Sequence, residues 1–329
     1  MIDIIKNQRL LSFIIFLVFF FFILLIAQWN LAELQFPIQV YSPIQNIFYH
    51  LFNNILDLNT WFVFTIKIGL IIWQAALVNQ IFRGQFLNQQ HWMTFIIYCL
   101  FILIFHDLSK GLNSFVVCLI FVYLVKILLE IPSNPKPYKE VFDVFFLNSV
   151  LVLLEPGCVV FYVFLSLVIL LFRPFNIYEF IIGSIGLLIP YVWILSYYFI
   201  FNKLYLIKQF YFSFINEYTF NIIFEPDIWV VYFLIIVGLV MTFAYVQNKY
   251  FKISVKNRIY FQLHFWLIAF CIIYFLISFD KSQNDLLLLS IPLAFIMSPV
   301  LLNLNRKALT ELYLLFLTLS AIEVQLNVI

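Results

Sequence analysis

The chain is 329 residues long, 65% hydrophobic and only 10% charged, and it carries a formal net charge of +2. With a mean hydropathy of +1.06 it lacks the polar skin that a soluble globule needs, so its solvent is lipid. Its basic residues are scattered rather than gathered on one face, which excludes a nucleic-acid-binding role.

Crossing a hydrocarbon core of about 30 Å takes roughly 20 apolar residues, fewer where flanking side chains snorkel. In chain order the candidate windows are Leu10–Ala27, Trp61–Leu77, Trp92–Phe105, Ser114–Leu129, Val141–Leu154, Cys158–Phe172, Tyr178–Phe201, Ile228–Val246, Phe261–Phe279, Leu286–Leu302 and Leu309–Ile322. The runs are continuously apolar rather than alternating every second residue, which predicts helices and not an outer-membrane barrel. Trp92–Phe105, Val141–Leu154 and Leu309–Ile322 are short enough for half-spans, so the expectation is an all-α polytopic bundle of about nine to eleven helices. Residues 1–329 read as a single integral membrane domain.

The cations orient the bundle. With the N-terminus inside, the inner segments hold Lys6, Arg9, Arg83, Lys126, Lys136, Lys139, Arg173, Lys249, Lys252, Lys256, Arg258, Arg306 and Lys307. The outer segments hold only Lys110, Lys203, Lys208 and Lys281, and Lys67 falls inside the second window. Lys and Arg favour cytoplasmic loops, so about eleven spans with the C-terminus outside is the most economical topology in a bacterial cytoplasmic membrane. Ile26-Ala27-Gln28 offers no small-x-small cleavage site, and the first helix is expected to stay as an anchor.

Two connections are long, residues 28–60 and 202–227, and both fall on the outer side. The first is broken by Pro37 and Pro43; then Ile44, Ile47, Phe48, Leu51, Phe52, Ile55 and Leu58 recur at helical spacing. That pattern predicts an amphipathic helix lying on the outer leaflet. The second, rich in Phe and Tyr, reads as interfacial too.

Between these loops the candidate chemistry is a carboxylate and a cation. Glu33 is the first carboxylate after the first helix, and Lys67 sits below the outer end of the second. A lysine at that depth suits a lipid-linked phosphate, while a carboxylate accepts a proton from an incoming hydroxyl. Glu33 would be the catalytic group, with Lys67, Lys203 and Lys208 holding the phosphate; the plainer alternative is a solvated Glu33 and a snorkelling Lys67. Further candidates are the pair His106 and Asp107, or a helix-ending loop at that place; Asp143, facing Lys139; Glu155 in the turn Glu155-Pro156-Gly157; and Arg173 with Glu179, holding a hairpin or a lipid phosphate. Glu225 and Asp227 precede a helix start, where the dipole favours acids. Cys99, Cys118, Cys158 and Cys271 show no metal-type spacing with His50, His91, His106 or His264 and read as buried apolar fillers, and neither a metal nor a cofactor is expected.

The stretch Leu170-Leu171-Phe172-Arg173-Pro174-Phe175-Asn176, followed by Gly186-Leu187-Leu188-Ile189-Pro190-Tyr191, resembles an uncharacterised family of multipass inner-membrane proteins of Bacteroidota. That resemblance implies location rather than activity. The predicted topology is similar to that of the C-type glycosyltransferases, which take a sugar from a polyprenyl phosphate outside the cytoplasmic membrane. In that fold a first-loop carboxylate serves catalysis, and Glu33 is the position it implies here; the paired acidic motif often found there is missing, since Glu33 lies between Ala32 and Leu34. Three functions are therefore expected of a cell-envelope protein: a transferase using a lipid-linked sugar, a non-catalytic assembly subunit with membrane-protein partners, or a transporter or flippase.

Overall fold

The computed structural model describes residues 60–85, 92–105, 113–174, 176–208, 229–249, 254–277, 283–303 and 307–327. The predicted first span Leu10–Ala27, the interfacial helix Ile44–Leu58, Glu33, His106, Asp107, Glu225 and Asp227 lie outside these residues.

Among the described residues the structure is all-α, with no strand. In chain order the helices are α1 (Thr60–Gln85), α2 (Met93–Phe105), α3 (Asn113–Leu128), α4 (Tyr138–Leu154), α5 (Val160–Phe172), α6 (Ile177–Ile200), α7 (Trp229–Lys249), α8 (Val255–Ile277), α9 (Ser290–Asn303) and α10 (Lys307–Asn327). Short 3-10 turns at Ile131–Ser133, Pro156–Val159 and Gln283–Leu289 lead into α4, α5 and α9. Helix is what a lipid-solvated chain must form, because only helix satisfies every backbone group within one segment.

Among the described residues six stretches, in α1, α3, α6, α8, α9 and α10, are long and apolar enough to cross a membrane, which makes this a polytopic membrane protein. Two expectations change in detail. The window at Leu309–Ile322 belongs to a 21-residue helix and is no half-span. The window at Trp92–Phe105 does stay short: its helix, Met93–Phe105, has 13 residues, but all of them are buried in protein, and a helix surrounded by other helices need not match the bilayer thickness.

That short helix is the centre of the fold. α2 packs against α9, α1 and α10; α9 also meets α8 and α7, while α3 bridges α1 and α4. The stretch Leu286–Asn303 is 94% buried, whereas Ile177–Ile200 is only 22% buried. α6 is thus a peripheral helix that packs chiefly on α4. The buried residues of α6 form one narrow stripe, Glu179, Gly183, Gly186 and Pro190, with Tyr198 further on. Gly186 lets α6 approach closely: a Cβ there would lie 2.6 Å from the carbonyl oxygen of Phe142 on α4.

Polar groups inside the bundle tie helix to helix. Tyr98 on α2 donates to Gln74 Oε1 on α1 at 3.1 Å, its oxygen lies 3.3 Å from Cys118 Sγ on α3, and Gln74 Nε2 donates to Phe115 O at 2.6 Å. Gln325 Nε2 on α10 donates to Leu103 O on α2 at 2.7 Å, and Tyr313 Oη donates to Leu234 O on α7 at 3.1 Å. Such bonds join membrane helices where the hydrophobic effect cannot, since lipid is as apolar as leucine.

Candidate functional site

The most elaborate polar cluster joins the α3–α4 connection to the α5–α6 connection. The first is punctuated by Pro132, Pro135 and Pro137. Proline has no N–H, so Pro135 cannot donate to the carbonyl of Ile131 four residues back as an α-helical turn would, and Pro137 cannot close a 3-10 turn on the carbonyl of Asn134. Those carbonyls need a donor from elsewhere.

Arg173 supplies it. Pro174 biases the residue before it towards extended backbone, and Arg173 indeed ends α5 at φ −137° and ψ 151°. From there Nη1 donates to Ile131 O at 3.0 Å and to Asn134 O, and Nη2 donates to Pro135 O at 3.0 Å and to Glu179 Oε1 at 3.1 Å. Asn176 caps α6, its Oδ1 accepting from Tyr178 N at 3.1 Å, and this sets Glu179 in the first turn, facing back towards Arg173. Asn134 completes the cluster by donating from Nδ2 to Glu140 Oε1 at 2.8 Å. The side chains of Arg173 and Glu179 are 11% and 2% exposed, so the ion pair sits inside protein at the end of the bundle. Both Nη groups are committed to protein acceptors, which makes the arrangement a brace between two connections. Among the described residues Arg173 Nε and Glu179 Oε2 find no hydrogen-bond partner.

The other predicted side chains are dispersed. Lys67 is on the inward face of α1, 5% exposed, on the same stripe as Gln74 two turns along. Lys203 and Lys208 are exposed just beyond α6. Asp143 is half-buried on α4, and it makes no ion pair with Lys139. Glu155 is half-buried at the C-cap of α4, its N–H donating to Leu151 O at 2.7 Å. Among the described residues no group of three or more His, Cys, Asp or Glu side chains gathers as a metal-binding set. Cys99, Cys118, Cys158 and Cys271 are free thiols and all buried.

Several polar residues that sequence reading passed over prove central. Ser149 on α4 accepts from Tyr162 Oη on α5 at 2.9 Å and donates to Leu187 O on α6 at 2.7 Å, close to where Pro190 interrupts the helical ladder. His264 is buried on α8, its Nδ1–H donating to Tyr260 O at 2.8 Å and its ring lying 4.8 Å from that of Phe295. Asn148 is fully buried, and its amide has no partner among the described residues. The signal was a polar interruption of an apolar run, Asn148-Ser149 in α4 and His264 in α8, which in a membrane helix marks the inward face.

Among the described residues the architecture defines the class, an all-α polytopic membrane protein in which several buried polar groups tie one helix to the next. Comparison with protein-family models, with curated proteins and with solved structures finds no match for this chain.

Proposed function

We propose that the protein is a non-catalytic subunit of the bacterial cytoplasmic membrane, with about eleven spans and an inner N-terminus, that assembles or stabilises a complex of cell-envelope biogenesis. One observation carries this reading: the Arg173 brace spends its four Nη contacts on carbonyls and Glu179 of the same chain, as a group does when its task is to hold a shape. The interhelical bonds of Tyr98, Ser149, Tyr313 and Gln325 follow the same pattern. The resemblance of the Arg173-Pro174-Phe175-Asn176 region to multipass inner-membrane proteins supports the location. Crosslinking in native membranes followed by purification in mild detergent tests it: recovery with a stoichiometric membrane partner is expected, and a chain found only alone and monomeric overturns it.

A transferase acting on a lipid-linked sugar at the outer face is the second reading, favoured by Lys67. A cation 5% exposed within a membrane helix is costly and marks a functional position by default. In that reading Glu33 is the base, and Lys67, Lys203 and Lys208 hold the phosphate of a polyprenyl-linked sugar. Glu33→Gln and Lys67→Ala are then expected to alter envelope glycans; in a strain that needs the gene, unchanged glycans and growth in both variants end it.

A further inference from the structure

α6 has two faces of different composition. Towards α4 it offers Gly183, Gly186 and Pro190, the small and narrow residues that close approach needs. On the opposite side stand Ile181, Ile185, Leu188, Val192, Leu195 and Phe199, each between 48% and 68% exposed. They follow one another at steps of four and three residues, so they form a single stripe along the helix. From Ile181 to Phe199 it covers about 27 Å at 1.5 Å per residue, close to the roughly 30 Å of the hydrocarbon core.

Spacing of this kind belongs to the outward face of any helix, and lipid accepts it. The residue types select further. Written as a heptad, Ile185 and Val192 fall at the a positions and Leu188 and Leu195 at the d positions. β-branched side chains at a with leucine at d are the combination that favours a parallel two-stranded coil. The exposed stripe of α7, Phe233, Ile236, Val240 and Phe243, has the same spacing but carries Ile236 and Phe243 where α6 has its leucines.

We infer that α6 pairs with α6 of a second copy of this chain, as a parallel two-stranded coil about a two-fold axis along the membrane normal. Copies inserted alike can share a two-fold axis only along that normal, which makes the paired helices parallel, as the a and d residues require. α6 is placed for this, because it joins its own bundle chiefly through α4 and its first turn is held by the Arg173–Glu179 pair. At their exposures the six side chains present on the order of 600 Å² per copy, the lower end for a specific interface. Lipid tails are as apolar as leucine, so packing between the copies has to hold the pair. Ser184 and Ser196, short and exposed beside the stripe, let the two backbones come close. The inference stands apart from the assembly reading, since its occupant is the chain itself and not another subunit.

The test uses the full chain in native membranes. Parallel pairing sets each d position against its own copy, so Leu188→Cys and, separately, Leu195→Cys are expected to give a disulfide-linked product of twice the chain's mass when copper phenanthroline is the oxidant. The four native thiols are buried and leave the introduced one to report. Val240→Cys, on the exposed stripe of α7, is expected to stay unlinked. Leu188→Ala combined with Leu195→Ala should weaken self-association of the labelled chain in phosphatidylcholine vesicles, read by energy transfer on dilution with lipid, by roughly tenfold or more, since packing is what holds the pair. Failure of both cysteines to link, linkage of Val240→Cys as readily, a product whose mass is not that of two copies, or self-association that the alanine pair leaves unchanged overturns the proposal.

Discussion

Arg173 holds two kinds of partner, and they separate by substitution. Removing one member of a buried ion pair strands the other charge, at a cost of about 3–5 kcal/mol, and Glu179 at 2% exposure has little water to turn to. Arg173→Ala also orphans the carbonyls of Ile131, Asn134 and Pro135. Arg173→Lys keeps the charge but loses the planar fork that reaches four acceptors at once. Both variants are expected to lower the unfolding midpoint in mild detergent, the alanine more. Arg173→Met combined with Glu179→Met removes the stranded charge and should recover part of the loss, but not all, because the part-buried carbonyls of Ile131 and Asn134 are left without their donor, at up to about 1–3 kcal/mol each where water cannot reach them. Full recovery in that double variant would mean that the carbonyl bonds contribute nothing.

At the scale of the helices, α6 depends on one seam. A Cβ at Gly186 would meet the Phe142 carbonyl at 2.6 Å, whereas one at Gly183 would meet the Phe145 ring at 3.0 Å. Backbone cannot swing aside as a ring can, so Gly186→Ala should force α6 away from α4 and also strain the bond from Ser149 to Leu187 O. Gly183→Ala should cost less. Proteolysis of the α5–α6 connection and thermal unfolding read the difference; equal effects, or the reverse order, would contradict this account of the seam. The helices themselves were legible from apolar runs, and the Arg173–Glu179 pair from its place around a Pro-Phe-Asn turn. The seam was not, because its glycines are three apart, few in number, and matched on α4 by phenylalanines rather than by other small residues. Nor was the central place of α2 legible, since hydropathy measures how well a segment suits lipid and says nothing of whether protein surrounds it. Gln74, Tyr98 and Ser149 were visible as polar breaks, but their partners lie on other helices and only packing brings them together. Of the candidate site, Lys67 was legible as a cation within an apolar run, while its burial came only from the packing of α1; Glu33 lies outside the described residues.

For the whole molecule, the Arg173 contacts fix a relation between loops. Because its guanidinium reaches the carbonyls of Ile131, Asn134 and Pro135, the α3–α4 and α5–α6 connections lie at the same end of the bundle. The helix that follows is long enough to cross, so Lys203 belongs at the opposite end. In the proposed topology the first end faces the cytosol. Lys136 and Lys203 are both exposed, and with all four native thiols buried each position can be read by a single introduced cysteine. Lys136→Cys is expected to react with a membrane-impermeant maleimide in inside-out vesicles only, and Lys203→Cys in right-side-out vesicles only. Reaction of both from one face would show that α6 does not cross. Opposite faces in the reversed sense would keep the bundle intact but invert its orientation, moving Lys203 and Lys208 to the cytosolic side and removing the outer-face transferase reading.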